Sequence, residues 1–269
     1  MRKTLFSGIA ACLLATAATA AEQSPSVIWT VGQADRSASE FALAPDRFRD
    51  FLANDFGYED KYFLVGHSVP AADFPYVLPG PADTWGGTWP TSGWRTHQVN
   101  ILFGLKEIPS DGTCTLVVDL LDYAKNFLPL VKVSVNTQDA KFQLDAPGLC
   151  VADQRKPNQM EKIVDTLSIT GNLAKATPRR LEIPIRPGVL KAGGNEVTIT
   201  VLEGSWILFD RVSLEGPAGT NVEQPQQLFI RNIEAAPYEL ADGKRRVQPL
   251  LVDLEWLEGA PALSVELDD

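Results

Sequence analysis

Between Asp73 and His97 the chain gathers most of what could recognise a ligand. Trp85, Trp89 and Trp94, half of the six tryptophans, fall within ten residues. Pro79, Gly80, Pro81, Gly86, Gly87, Pro90 and Gly93 surround them, so the stretch reads as a loop. Indole faces offer flat apolar area with little rotamer entropy to lose, and they stack on the C–H faces of sugar rings. Asp83, Arg95 and His97 stand beside them and can hydrogen-bond ring hydroxyls. The expected site is therefore a carbohydrate platform of Asp83, Trp85, Trp89, Trp94, Arg95 and His97. The competing reading is that the aromatics merely plug the open end of a sandwich.

Catalytic signals are sparse. His67 and His97 are the only imidazoles, and neither has a Ser or Cys beside it in a nucleophile setting. No carboxylate pair is signposted among the 34 acids, and the ligand spacings of loop-calcium or zinc sites are absent. Gly86-Gly87 and Gly193-Gly194 lack the strand–loop–helix context of a phosphate cradle and read as turns. No catalytic residue is assigned.

The elements that must position such a loop are strands. Residues 115–121, 130–135, 181–185, 196–201 and 206–209 alternate or run apolar between turn formers. Pro184 interrupts its run and marks an edge or bulged strand. Only Phe48, Phe51, Leu52 and Phe56, between Pro45 and Gly57, fall on a helical face. Short strands joined by turns such as Lys191–Asn195 predict an all-β fold, a β-sandwich, with no helix–strand alternation for a nucleotide-binding sheet.

Residues 218–227 have the composition of a linker. Beyond it, 228–235, a turn at Asp242-Gly243, 249–257 and 263–267 repeat a hairpin-like pattern. About 40 residues of hairpin cannot hold a core alone. This C-terminal β extension (228–269) either adds strands to the sandwich or begins a second β domain, and the second reading, a piece of a larger protein, is the one expected.

Charge and targeting limit the partners. Arg2-Lys3, the apolar stretch 4–16 and Ala18-Thr19-Ala20 read as a signal peptide over 1–20, which makes the protein periplasmic or secreted. The alternative is a lipoprotein acylated at Cys12. No later segment is long and apolar enough for a transmembrane helix. Without Arg2 and Lys3 the chain has 22 basic against 34 acidic residues, or −12, which disfavours nucleic acid. Cys114 and Cys150 either form a disulfide in that oxidising compartment or stay as buried thiols.

Several segments in a shared order resemble a known family. They are Ile28–Arg36 (IWTVGQADR) with Glu40-Phe41, Tyr62–Gly66, Asp73–Pro75 (DFP), the strand Val99–Leu105, Val131–Asn136 (VKVSVN), Leu190–Ile199 (LKAGGNEVTI), Gly204–Asp210 (GSWILFD) and Val212–Glu215. Together they are similar to the C-terminal, carbohydrate-binding-like domain of rhamnogalacturonan lyases, polysaccharide lyase family 4, over residues 27–217. The resemblance implies a jelly roll of the galactose-binding-like kind. The catalytic Lys/His pair of such lyases lies in a separate upstream domain, so no lyase residue carries over and this chain is expected not to be an enzyme. Related jelly rolls hold a structural calcium with an acid near the first strand and one on the last. Glu40 and Asp210 match those positions; the alternative for Asp210 is a local hydrogen bond. No other cofactor is required. Expected partners are a polysaccharide or oligosaccharide and a catalytic domain or chain. The expected function is an exported carbohydrate-binding module in a polysaccharide-degrading system. The alternatives are a fragment or subunit of a polysaccharide lyase or glycosidase, and a structural sandwich that docks another domain.

Overall fold

A computed structural model describes residues 26–45, 61–83, 98–108, 113–145, 168–225 and 227–259. The helical pattern at 48–56, the signal segment with Cys12, and residues 263–267 lie outside them. Among the described residues eleven strands build two facing sheets: β1 (Ser26–Gly32), β2 (Lys61–Leu64), β3 (Val77–Leu78), β4 (Gln98–Leu105), β5 (Cys114–Tyr123), β6 (Leu130–Val135), β7 (Gln138–Gln143), β8 (Arg179–Ile185), β9 (Gly193–Glu203), β10 (Ile207–Gly216) and β11 (Val222–Glu223). The first sheet runs β1-β10-β5-β8, with β3 pairing on β10; the second runs β11-β4-β9-β6-β7, with β2 pairing on β4. All pairs are antiparallel except β2 with β4. The fold is an all-β sandwich.

Alternation along each strand decides what faces inward. Val99, Ile101 and Phe103 of β4 and Val197, Ile199 and Val201 of β9 meet Leu116, Val118, Val212 and Leu214 of the first sheet in one core. Aromatic contacts knit one part of it. Phe74 packs edge-on against Phe209 at 5.1 Å and Phe63 at 5.8 Å, and tilts against Phe41 at 5.4 Å. Pro184 sits in β8, which among the described residues pairs only with β5. An edge strand tolerates a residue with no N–H to donate. Pro70–Asp73 adds a helical turn that the hydrophobic pattern does not reveal; Asp73 Oδ2 accepts the N–H of Val69 at 2.7 Å.

Two family-like segments meet at one end of the sandwich. Asn136 closes β6 with φ +48°, and its Nδ2 donates to Asn195 Oδ1 at 2.8 Å. Asn195 also accepts from the Lys191 N–H and donates to the Lys191 and Gly193 carbonyls, so it closes its own turn.

The expected linker at 218–227 carries β11, whose Val222 and Glu223 pair with Leu105 and Gly104. Beyond it, β12 (Leu228–Ala235) pairs with β15 (Leu250–Trp256) as a separate ribbon, extended by β13 (Leu240–Asp242) and β14 (Arg245–Val247). One ribbon face lies on the outside of the second sheet. There Phe229 packs with Leu64 and Leu102, and Arg231 pairs with Glu196 at 3.1 Å. The other face brings together Ile230 with Leu254, Ile233 with Val252, and Leu228 with Trp256. Ile233 and Trp256 are more than half exposed.

Candidate functional site

The strand directions place both roots of segments 33–60, 79–97 and 144–178 at one end of the sandwich. Gly32 pairs with Arg211, Leu78 with Ile207, Gln98 with Thr200, Leu130 with Gln143, and Leu120 with Arg179. Connections 33–60, 79–97 and 144–178 therefore all leave and return beside the short β9–β10 turn at 204–206. The opposite end carries short connections, among them the Asn136–Asn195 clasp. Trp85, Trp89, Trp94, Arg95 and His97 belong to the 79–97 connection and lie outside the described residues.

Asp83 stands at the root of that connection. Its Oδ2 accepts the N–H of Gly80 at 2.8 Å, and its Oδ1 accepts Ser205 Oγ at 2.5 Å. Gly80 is itself pressed against the backbone of Gly204 and Ser205, where a Cβ would clash. Ser205 N–H donates to Phe127 O at 2.9 Å, which brings Phe127, 45% exposed, to the same end. Asp83 is thus a tie between the loop root and the β9–β10 turn. The other root is Gln98, the first residue of β4.

Beside these roots opens a cleft of about 410 Å³ between segments 36–45 and 168–173, floored by Leu121 and Leu208. Arg36, Ser37, Ser39, Ser168 and Thr170 give it a polar rim. Both walls are fixed. Asp122, only 5% exposed, accepts Ser168 Oγ at 2.6 Å and the Thr177 N–H at 2.9 Å, and pairs with Lys125. Tyr76 donates its hydroxyl to Ile169 O at 3.1 Å, and burial pushes that phenol far above its usual range, so it stays a neutral donor. On the opposite wall, Phe41 enters the core and the Ala42 N–H donates to Phe74 O at 2.9 Å. An apolar floor with a hydroxyl and guanidinium rim fits a polar, ring-shaped ligand. Sequence reading missed this cleft because its lining comes from four separated segments with no common motif.

The two acids of the expected calcium site stand at the same end, each engaged by a backbone amide. Glu40 Oε1 accepts the Gln33 N–H at 2.9 Å, and Asp210 Oδ1 accepts the Arg36 N–H at 3.0 Å. Burial, with repulsion from Asp35, Asp119 and Glu40, pushes the Asp210 carboxyl up to about 6 against the pull of the Arg36 amide. Among the described residues no group of three or more His, Cys, Asp or Glu is placed to hold a metal ion. Calcium here would therefore need backbone carbonyls as further ligands, chemistry that suits a hard cation. Cys114 is buried, and burial raises its thiol; Cys150 lies outside the described residues.

The fold is a β-sandwich whose long segments are rooted at one end. The chain belongs to the family described as CBM-like, polysaccharide lyase family 4, domain III, which matches residues 27–214. No curated protein matches it in sequence. Among solved structures it is similar to a family GH115 4-O-methyl-α-glucuronidase, BtGH115A, with specificity for decorated arabinogalactans. The identity is 18% over 44% of this chain and the TM-score is 0.26. The match spans only 13% of that enzyme, a likeness too slight to carry an argument. No helix among the described residues is long and apolar enough to cross a membrane.

Proposed function

We propose that this chain is an exported, non-catalytic carbohydrate-binding module that works beside a polysaccharide-degrading enzyme. The observation that supports this reading is that, in a domain of this family, the two roots of segment 79–97 stand at the same end of the sandwich as the Arg36–Ser168 cleft. Stacked indoles contribute about 0.5–1.5 kcal/mol each beyond area burial, and a few hydrogen bonds about 0.5–1.5 kcal/mol each. After the cost of association, the affinity falls nearer millimolar than nanomolar. On this reading residues 1–20 are a signal peptide, and the module works in the periplasm or outside the cell.

The test is retention of the chain from Ala21 on immobilised polysaccharides, with product release assayed in the same tubes. Loss of retention in folded Trp85→Ala, Trp89→Ala or Trp94→Ala, with no sugar released, is the expected result. Turnover by this chain alone would overturn the non-catalytic reading.

The ribbon favours one addition. Its outward face, with Ile233, Leu250, Val252 and Trp256 between 39 and 56% exposed, is too apolar for a finished surface. The reading gives this ribbon the opening of a second β unit, through which the module attaches to a catalytic chain. A calcium ion between Glu40 and Asp210 completes the proposal.

A further inference from the structure

The cleft between segments 36–45 and 168–173 presents a single charged group over apolar walls. Leu121 and Leu208 form its floor, and Ala38, Ala44, Pro45 and Leu173 line its sides. The hydroxyls on its rim are taken up within the protein. Ser37 Oγ and Ser39 Oγ bond each other at 2.8 Å, and Ser37 Oγ also accepts the Ser39 N–H at 3.1 Å. Ser168 gives its hydroxyl hydrogen to Asp122, and Thr170 has a partner as well. No Asp or Glu among the described residues lines the cleft.

The charge is Arg36. The acids around it are turned to backbone amides: Asp35 Oδ1 accepts the Ser37 N–H at 2.9 Å, Glu40 the Gln33 N–H and Asp210 the N–H of Arg36 itself. Among the described residues no carboxylate forms an ion pair with the guanidinium. The backbone that carries it is strained. Among the described residues three that are not glycine have positive φ, and two of them, Arg36 at +64° and Leu43 at +51°, belong to this wall. L side chains avoid that region, and residues held in it gather at ligand sites.

A volume of about 410 Å³ is that of a small-molecule site. A sugar laid on this floor would turn hydroxyls toward Leu and Ala side chains that cannot receive them, and each unpaired hydroxyl is costly. An apolar ring with one carboxylate matches the lining better. The ring covers Leu121 and Leu208, and the carboxylate takes two N–H groups of the guanidinium. We propose that the cleft binds a small carboxylic acid built on an apolar ring, in its ionised form. The inference rests on the proposed reading of this end as the ligand-binding one, and gives the cleft an occupant beside the glycan assigned to segment 79–97.

The experiment titrates the chain from Ala21 with cinnamate and cyclohexanecarboxylate. Cinnamamide serves as the uncharged counterpart, and galacturonate as the hydroxylated ring with the same charged group. Both apolar acids should bind at least tenfold more tightly than the amide or galacturonate. Arg36→Gly removes the cation and relieves the positive φ, so cinnamate affinity should fall at least tenfold while the melting temperature holds or rises. Ala44→Leu should narrow the cleft and weaken both acids with the charge in place. Equal affinity for cinnamate and cinnamamide would overturn the proposal, as would a preference for galacturonate. If neither acid binds while polysaccharide is still retained, this inference falls alone. If the acids bind and no polysaccharide is retained, it stands and the glycan reading falls.

Discussion

Asp210 accepts the backbone N–H of Arg36 at 3.0 Å, across 174 residues of chain. The bond closes the β1–β10 edge of the sandwich, yet the carboxyl is held among Asp35, Glu40 and Asp119 with burial as the main influence, and titrates near 6. A carboxyl whose folded value lies above its unfolded value favours the protonated fold. That stabilisation is complete below about pH 4 and is lost as the pH rises through about 6. The two-unit difference corresponds to about 3 kcal/mol at most. Asp210→Asn should therefore raise the melting temperature at pH 8 in chelator and change little at pH 4.

Calcium should do for the unaltered chain what asparagine does for the variant. Added Ca²⁺ at pH 8 is expected to raise the melting temperature of the former and to leave Asp210→Asn unmoved. An identical response in both would remove Asp210 from any metal site.

Gly194 tests the docking of the ribbon. A methyl group there would overlap the carbonyl oxygen of Ile230. Gly194→Ala should lift β12 from the sheet and expose Phe229, with little effect on the core beneath. Protease cutting within 217–227, or faster amide exchange in β12 and β15, would report the release. An unchanged digestion pattern would show that the ribbon shifts rather than detaches.

The Asn136–Asn195 clasp is an expected stability determinant. Asn195→Ala removes a 2% exposed side chain, takes the acceptor from the Lys191 N–H and leaves Asn136 Nδ2 with Val189 O alone. The cost should be about 1–3 kcal/mol, read as a lower denaturation midpoint with an unchanged slope.

Asp83 should act on binding through the loop it ties down. Asp83→Ala frees the root of 79–97 from Ser205 and Gly80. Sugar affinity is expected to fall roughly tenfold, about 1.4 kcal/mol, with a small change in melting temperature. Binding equal to that of the unaltered chain would show that the β9–β10 turn does not position the platform.

Single residues made some of this architecture legible in advance. Pro184 marks an edge strand because it has no N–H to give, and β8 is an edge. Asp242-Gly243 marks a turn, and Asp242 pairs with Arg245 across it. The outward face of β4 was hidden for the opposite reason. In 99–105 the sequence VNILFGL reads as one strand, because Leu102 and Phe103 are both apolar, although one faces the ribbon and the other the core. That Asn100 shares a face with Thr198 is a property of pairing across 98 residues. The cleft was equally hidden, since Ser37 and Ser168 carry no local sign that Phe41, Tyr76 and Asp122 will hold them on facing walls. The tryptophans were singled out by type and spacing alone, and they lie outside the described residues.

The arrangement of the connections has a consequence for how such a chain can diverge. Doubling the length of a flexible loop costs only about 0.6 kcal/mol, whereas a change at the Asn136–Asn195 end is felt by both strands that it joins. A change of length in 33–60, 79–97 or 144–178 is therefore expected to leave the frame in place. On the proposed reading the sandwich is a socket for interchangeable reading heads, and transplanting one such segment should transfer a preference without transferring a fold.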